Sequence, residues 1–364
     1  MLNDLKNIFR DPAALLIMLF LPLVYPLLYS FIYTNEVVRD MPICVVDLSN
    51  TQESRQFARK VDATPDVHIA YRVNDFEEAQ ELMREQKVHG ILYFPEDFAE
   101  KLQKMEQSPV EIYTDMAFLL YYKAFYLATF NAMLSEKHPL MASQAEVIKV
   151  HDYPVFNKAG GYGNFLLPAV LILILQQTLL LGMATQVGTL RQNGHDFTIA
   201  QRFRIGFSYY VLYFFHAGYV LIVVPWIFGF TQLISTFNII VLICPMLLSM
   251  VTFGILLSQF FKHRETPLLY IAPTSVMLLF LTGVSWPEAN MPRFWQDFAW
   301  IFPGTPAVRA FVKMNCMGAS LSMVSNYIWI MLLQSVVYVI LHVVIKLFYE
   351  PKTLRPALEH LHFR

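Results

Sequence analysis

"FLLPAVLILILQQTLLLGMATQVGT", Phe165–Thr189, contains no Asp, Glu, Lys or Arg. A helix needs about 20 mostly apolar residues to cross the hydrocarbon of a bilayer, and this run is long enough. Five more stretches read the same way: Ala13–Tyr33, Phe207–Phe230, Phe237–Phe260, a short one at Pro267–Val284, and Ser325–Phe348. None has a charged residue in its central portion. The composition agrees. Of 364 residues, 56% are hydrophobic and 15% are charged, against roughly 25% charged in soluble domains. The expected fold class is an α-helical polytopic membrane protein with six transmembrane helices.

Basic residues set the expected orientation. With the N-terminus inside, the inner segments hold Lys6 and Arg10; Arg191, Arg202 and Arg204; Lys262 and Arg264; and Lys352, Arg355 and Arg364. Both termini then lie in the cytoplasm. The first span is too long for a signal-peptide core and lacks a small-residue cleavage site after it, so it reads as a retained anchor. "NDLKNIFR" places Leu2, Leu5, Ile8 and Phe9 on one face, an interfacial helix within residues 1–12. Residues 349–364 form a cytoplasmic tail.

Residues 34–163 interrupt the pattern and read as an inserted extracytoplasmic α/β domain. "PICVVDLS", "VHIAYRV", "GILYF" and "VEIYTD" are strand-like. "SRQFARKV", "DFEEAQELMREQ" (capped by Asp75) and "PEDFAEKLQKM" are helical, and a longer helix covers about Met116–Glu136. Alternation of the two implies a mixed sheet. The net charge of −1 suggests no nucleic-acid partner. Cys44, Cys244 and Cys316 show no metal-ligand spacing. Cys44 and Cys316 fall on the same expected side and read as two free thiols rather than a bridge. No Gly-Lys pair occurs, so the chain encodes no phosphate-binding P-loop. HExxH and GxSxG are absent too, and no catalytic or metal-binding residue is nominated.

Four stretches resemble the ABC-2-type transporter permeases, and more narrowly the exporters with one large extracytoplasmic domain between spans one and two. They are "LKNIFRDPAALLIMLFLPLVYPLL" with its Arg-Asp-Pro turn, "MPICVVDLSNTQESRQFARKVDATPDV" with its "VVD", "GNFLLPAVLILILQQTLLLGMATQVGTLRQNG", and the segment before the last span. In that last segment Gly283, Pro287, Met291, Pro292, Pro303 and Thr305 are similar to the family's G…P…MP…P-T pattern. Many relatives end the second span with a charged RE-x-E-x-GT run, and "GTLRQNGHDF" departs from it. The resemblance implies the membrane subunit of an ATP-binding cassette exporter, working as a homo- or heterodimer in a bacterial inner membrane. It implies a separate ATPase subunit that binds ATP and Mg, no cofactor in this chain, and as further candidates a periplasmic adaptor and an outer-membrane channel. An envelope scaffold or receptor, whose outer domain binds a partner, is the alternative.

Three groups of residues are candidates for function. "SWPEANMPRFWQDFAWIFPGTPAVRAF", within an external segment 285–311, holds Trp286 and Trp295, whose rings prefer the membrane interface. It suits a re-entrant pair of short helices, which in the resembled family caps the path; an amphipathic loop helix anchoring the fifth span is the plainer reading. In residues 191–206, Asp196 or Thr198 caps a short new helix presenting Phe197, Arg202 and Arg204, with His195 beside them. The family places its ATPase-coupling helix there; a surface loop with positive-inside arginines is the alternative. Gln176 and Gln177 either line a path or bond across helices for about 1 kcal/mol. His216 and His342 read as structural, and Pro225, Pro245 and Pro273 as helix kinks.

Overall fold

The computed structural model describes residues 15–33, 38–104, 106–114, 119–134, 162–194 and 197–349. The expected interfacial helix at 1–12, all of the tail beyond Tyr349, and His195 and Asp196 lie outside the described residues. The chain divides into two units, Met1–Glu36 with Pro154–Arg364, and Val37–Tyr153.

Among the described residues the first unit opens with a π turn, Leu16–Phe20, that runs into α1, Leu21–Ile32. Its last bond, from the Leu21 N–H to the Leu16 carbonyl, falls one residue before Pro22. Proline lacks an N–H and cannot continue an α-helical ladder, so the wider turn absorbs the mismatch. The same device recurs later in the chain. Pro22, Pro26 and Ser30 then form the buried face of α1.

The second unit follows. Its elements are β1 (Met41–Asp47), α2 (Gln52–Asp62), β2 (Val67–Val73), α3 (Phe76–Arg84), β3 (Gly90–Phe94), α4 (Phe98–Gln103), β4 (Glu111–Thr114) and α5 (Leu119–Leu134). The sheet order is β2-β1-β3-β4, with β1 parallel to β2 and β3, and β4 antiparallel to β3. Alternation along β1 sends Ile43 and Val45 to one face, where Phe57, Phe98 and Phe125 pack. Cys44 and Val46 go to the other, against Ala79 and Val88. Gly90 permits a close approach: a Cβ there would lie 2.7 Å from the Phe125 ring. Asp47, the last residue of the "VVD" strand, accepts from Ser54 Oγ (2.6 Å) and Asn50 N–H (2.9 Å). It thereby fixes the Thr51–Ser54 capping box that starts α2. Asp75 caps α3 by accepting from Glu77 N–H.

Burial of the Cys44 thiol pushes its pKa up to about 11 from 9.0, with Glu78 adding to the effect. The reactive species is the thiolate. At pH 8 the rise leaves roughly a hundredfold less thiolate than an ordinary cysteine would hold. Maleimide labelling of the folded protein should therefore leave Cys44 unmodified until denaturant is added. Labelling of Cys44 at the rate of a cysteine introduced at exposed Gln107 would contradict this packing.

The remaining helices return to the first unit: α6 (Tyr162–Gln192), α7 (Ile199–Gly218), α8 (Val224–Phe228), α9 (Thr236–Ser258), α10 (Thr266–Ile271), α11 (Thr274–Leu281), α12 (Arg293–Ala299), α13 (Gly304–Met317) and α14 (Ser325–Tyr349). A second π turn, Tyr219–Val223, joins α7 to α8 and again falls just before a proline, Pro225. α6 is apolar on every side and buried along almost its whole length, because α1, α7, α9, α10 and α13 surround it. Pro245 sits inside an unbroken α9.

Among the described residues four helices are long and apolar enough to cross a membrane: Leu166–Gln192, Ile199–Phe228, Thr236–Ser258 and Ser325–Phe348. Leu16–Ile32 and Thr266–Leu281 are apolar but shorter. The second is interrupted at Ala272–Pro273, where the proline kink was expected, and both residues keep right-handed helical φ and ψ. The hydroxyls of Thr274 and Ser275 donate to the carbonyls of Ile271 (2.6 Å) and Ala272 (2.7 Å). Backbone acceptors at the break are thus satisfied without water, as broken helices in apolar surroundings require.

Candidate functional site

The Pro/Trp-rich segment after α11 folds into a hairpin held by long-range polar contacts. Gly283 turns the chain with φ +88°, a left-handed conformation that favours glycine. Pro287 and Pro292 then stand at the starts of the two short helices, the 3-10 turn Glu288–Asn290 and α12. Their fixed φ suits these positions. The Gln296 amide donates to the carbonyls of Glu288 (3.1 Å) and Met291 (2.8 Å) and so closes the first half. Thr305, fully buried, donates to the Ala299 carbonyl (2.7 Å) and joins α13 to the end of α12. Pro303 directly precedes α13. From α14, Gln334 and Tyr338 donate to the Trp300 and Ile301 carbonyls, each at 2.7 Å.

Arg309 organises this hairpin. Its Nε donates to the Thr282 carbonyl (3.1 Å), its Nη1 pairs with Glu288 Oε2 (2.8 Å), and its guanidinium lies 4.7 Å from the Trp300 ring centre. Trp300 also stacks on Tyr327, and the Lys313 ammonium covers Tyr327 at 4.9 Å. One side chain therefore joins the end of α11, the 3-10 turn and the end of α12. In the sequence Arg309 is only one basic residue among several. Its partners are 21 and 27 residues away, beyond any local pattern.

Trp286, Phe294 and Trp295 project outward from the hairpin. A chain of ring contacts runs inward from them, Phe294 or Trp295 to Phe298, then Phe302, Phe253 and Tyr338. α13 begins beside Gln176, in the middle of α6: a Cβ on Gly304 would lie 2.6 Å from Gln176 Oε1. It ends near the start of α6, where Cys316 donates to the Asn164 carbonyl. Those twelve residues of α6 span about 18 Å at 1.5 Å each. The hairpin therefore dips deep beside α6 and comes back out.

Gln177 donates to Thr274 Oγ1 (3.2 Å), and both glutamines are buried between helices. His216 bonds its own helix at Leu212, and His342 packs edge-on against Phe203.

At the other end of α6 the expected short, separate helix is absent among the described residues. Thr198 does form a cap, with a reciprocal box to Gln201, but the helix it starts is α7 itself. The next small residue, Gly206, does not break the helix. It receives Ile255 instead, which a Cβ there would meet at 2.6 Å. Phe197 is 9% exposed and packs into the core, and Arg202 is 2% exposed. Both are buried within this chain, whereas Arg204 and Asn193 are exposed. The Thr198-x-x-Gln201 capping box is readable in the sequence, but with Arg202 at the fourth helical position the inward packing of Phe197 is not. Arg191 donates through Nη1 to the Gln259 (2.6 Å) and Phe261 (3.2 Å) carbonyls and so caps the end of α9.

Among the described residues no group of three or more His, Cys, Asp or Glu could hold a metal ion. Long apolar helices packed round a central one, with a polar-pinned hairpin dipping among them, define a polytopic membrane protein. Residues 12–344 match the ABC-2 family transporter proteins, and the chain belongs to that family. It is 23% identical over 348 residues to the probable multidrug ABC transporter permease YbhR of Escherichia coli K12, across 90% of this chain and 91% of that one. It is likewise 23% identical over 357 residues to the linearmycin resistance permease protein LnrN of Bacillus subtilis 168, across 87% of this chain and 90% of that one.

Proposed function

We propose that this chain is the membrane subunit of an ATP-driven exporter in a bacterial inner membrane. It works as a pair of permease chains on two separate ATPase subunits, which bind ATP and Mg. Both termini face the cytoplasm, residues 34–163 face outward, and the two shorter apolar helices complete a set of six spans. The substrate class is a drug-like molecule, in keeping with the words "multidrug" and "linearmycin resistance" in the names of the two relatives. The observation that carries this reading is the hairpin. It reaches about 18 Å along α6, is polar within and aromatic without, and is tied to three helices. Such a lid can close one end of a path while the other end takes its drive from the α6–α7 connection. A scaffold or receptor needs no such lid.

Two experiments test the reading. In intact cells a membrane-impermeant maleimide should label a cysteine placed at exposed Gln107 and spare one at exposed Asn193; the opposite pattern refutes the topology. Purified alone, the chain should not hydrolyse ATP. With an ATPase that co-purifies with it from the host, proteoliposomes should show hydrolysis stimulated by drug-like molecules. Turnover by the pure chain would refute the division of labour, and co-purification without any ATPase would favour the scaffold.

A further inference from the structure

Gln176 and Gln177 are neighbours on α6 and so point about 100° apart around it. Gln177 reaches the first residue of α11 through Thr274, just past the break in the fifth apolar segment. Gln176 reaches the first residue of α13. A Cβ on Gly304 would lie 2.6, 3.1 and 3.3 Å from its Oε1, Cδ and Nε2, so the amide meets the glycine by its oxygen. Gln176 is 0% exposed. Neither Oε1 nor Nε2 has a hydrogen-bond partner among the described residues. A buried amide with its bonds unmade is disfavoured relative to an apolar side chain of the same shape. Here the unmade bonds sit at the deepest point of the hairpin.

The geometry points to a positioning dyad. Gln177 ties α11 to α6, Gln176 seats α13 on α6, and the Gln176 amide gains hydrogen bonds when α13 shifts. The unpaired amide keeps the seated conformer from being too stable to leave. The far end of α6 is locked to α9 by Arg191, so a tilt of α6 delivered there moves the starts of both α11 and α13 together. This inference goes beyond the transport reading, since it involves neither substrate nor ATPase.

The test uses the purified full-length permease in nanodiscs, with amide hydrogen exchange over residues 304–311 and the thermal midpoint as readouts. Gln176→Leu keeps the volume and removes the amide. It should raise the midpoint by roughly 2–4 °C and slow exchange about fivefold. Gly304→Ala intrudes on Gln176 and should speed exchange about tenfold; adding Gln176→Ala makes room and should bring it back to within about twofold. A lowered midpoint with unchanged exchange in Gln176→Leu overturns the proposal, as does a double variant no better than Gly304→Ala. If Gly304→Ala does not fold, the sign of the Gln176→Leu shift decides alone.

Discussion

Replacing Arg309 by Ala should unfold the hairpin while leaving the α/β unit intact. The substitution removes an ion pair to Glu288, a charged hydrogen bond to the Thr282 carbonyl and the cation–π contact with Trp300. A charged hydrogen bond contributes about 1.5–3 kcal/mol, and a desolvated cation–π contact about 2. The Glu288 pair adds less, because that carboxylate is 43% exposed and screened by solvent. With overlap between the three contacts, a loss of about 3 kcal/mol follows, a fall in thermal midpoint of roughly 5–10 °C. Arg309→Lys should not restore it, since a point charge cannot serve three partners arranged around a planar fork. Trp300 fluorescence in a variant lacking the other four tryptophans would follow the loss directly. A midpoint within a degree of the parent would mean that the α14 contacts alone hold the hairpin.

Phe197→Ala should destabilise the isolated permease by about 3 kcal/mol, the low end for removing a core phenylalanine. This is the outcome that separates packing from docking. A docking residue would leave the lone chain as stable as the parent and weaken only its association with an ATPase. A core residue lowers the thermal midpoint with no partner present. Arg204→Glu offers the opposite pattern, because Arg204 is exposed. It should leave the midpoint nearly unchanged and reduce ATPase co-purification. If Phe197→Ala is as stable as the parent but loses the ATPase, inward packing is not what matters at that residue.

The helices and strands were legible because their signals are local. Apolar runs such as Phe165–Thr189 and strands such as "GILYF" announce themselves by length and residue type, and Asp75 and Thr198 cap where their spacing says they should. What was not legible depends on chain that lies far away in sequence. The Arg309–Thr282 contact, the Gln176–Gly304 seat and the Arg191 cap on α9 bring together residues separated by 27 to more than 100 positions, and no window on the sequence contains both partners. The break at Pro273 was only half visible. Proline announced the kink, but not that the Thr274 and Ser275 hydroxyls would satisfy the backbone there. The direction of Phe197 was ambiguous for another reason: a residue just outside a helix can point either way, and with Arg202 at the fourth helical position no apolar staple partner favours the core.

The Arg191 cap also bears on biogenesis. Its acceptors, the carbonyls of Gln259 and Phe261, are made 68 and 70 residues after it. A ribosome releasing about 5–20 residues per second needs several seconds to supply them. In the proposed orientation the guanidinium at the end of α6 would be hydrated at the cytoplasmic surface during that interval and help to hold the helix inside-facing. The same charge would then act twice, first as an address read during insertion and later as a clasp. A nascent chain halted before residue 259 keeps the address without the clasp.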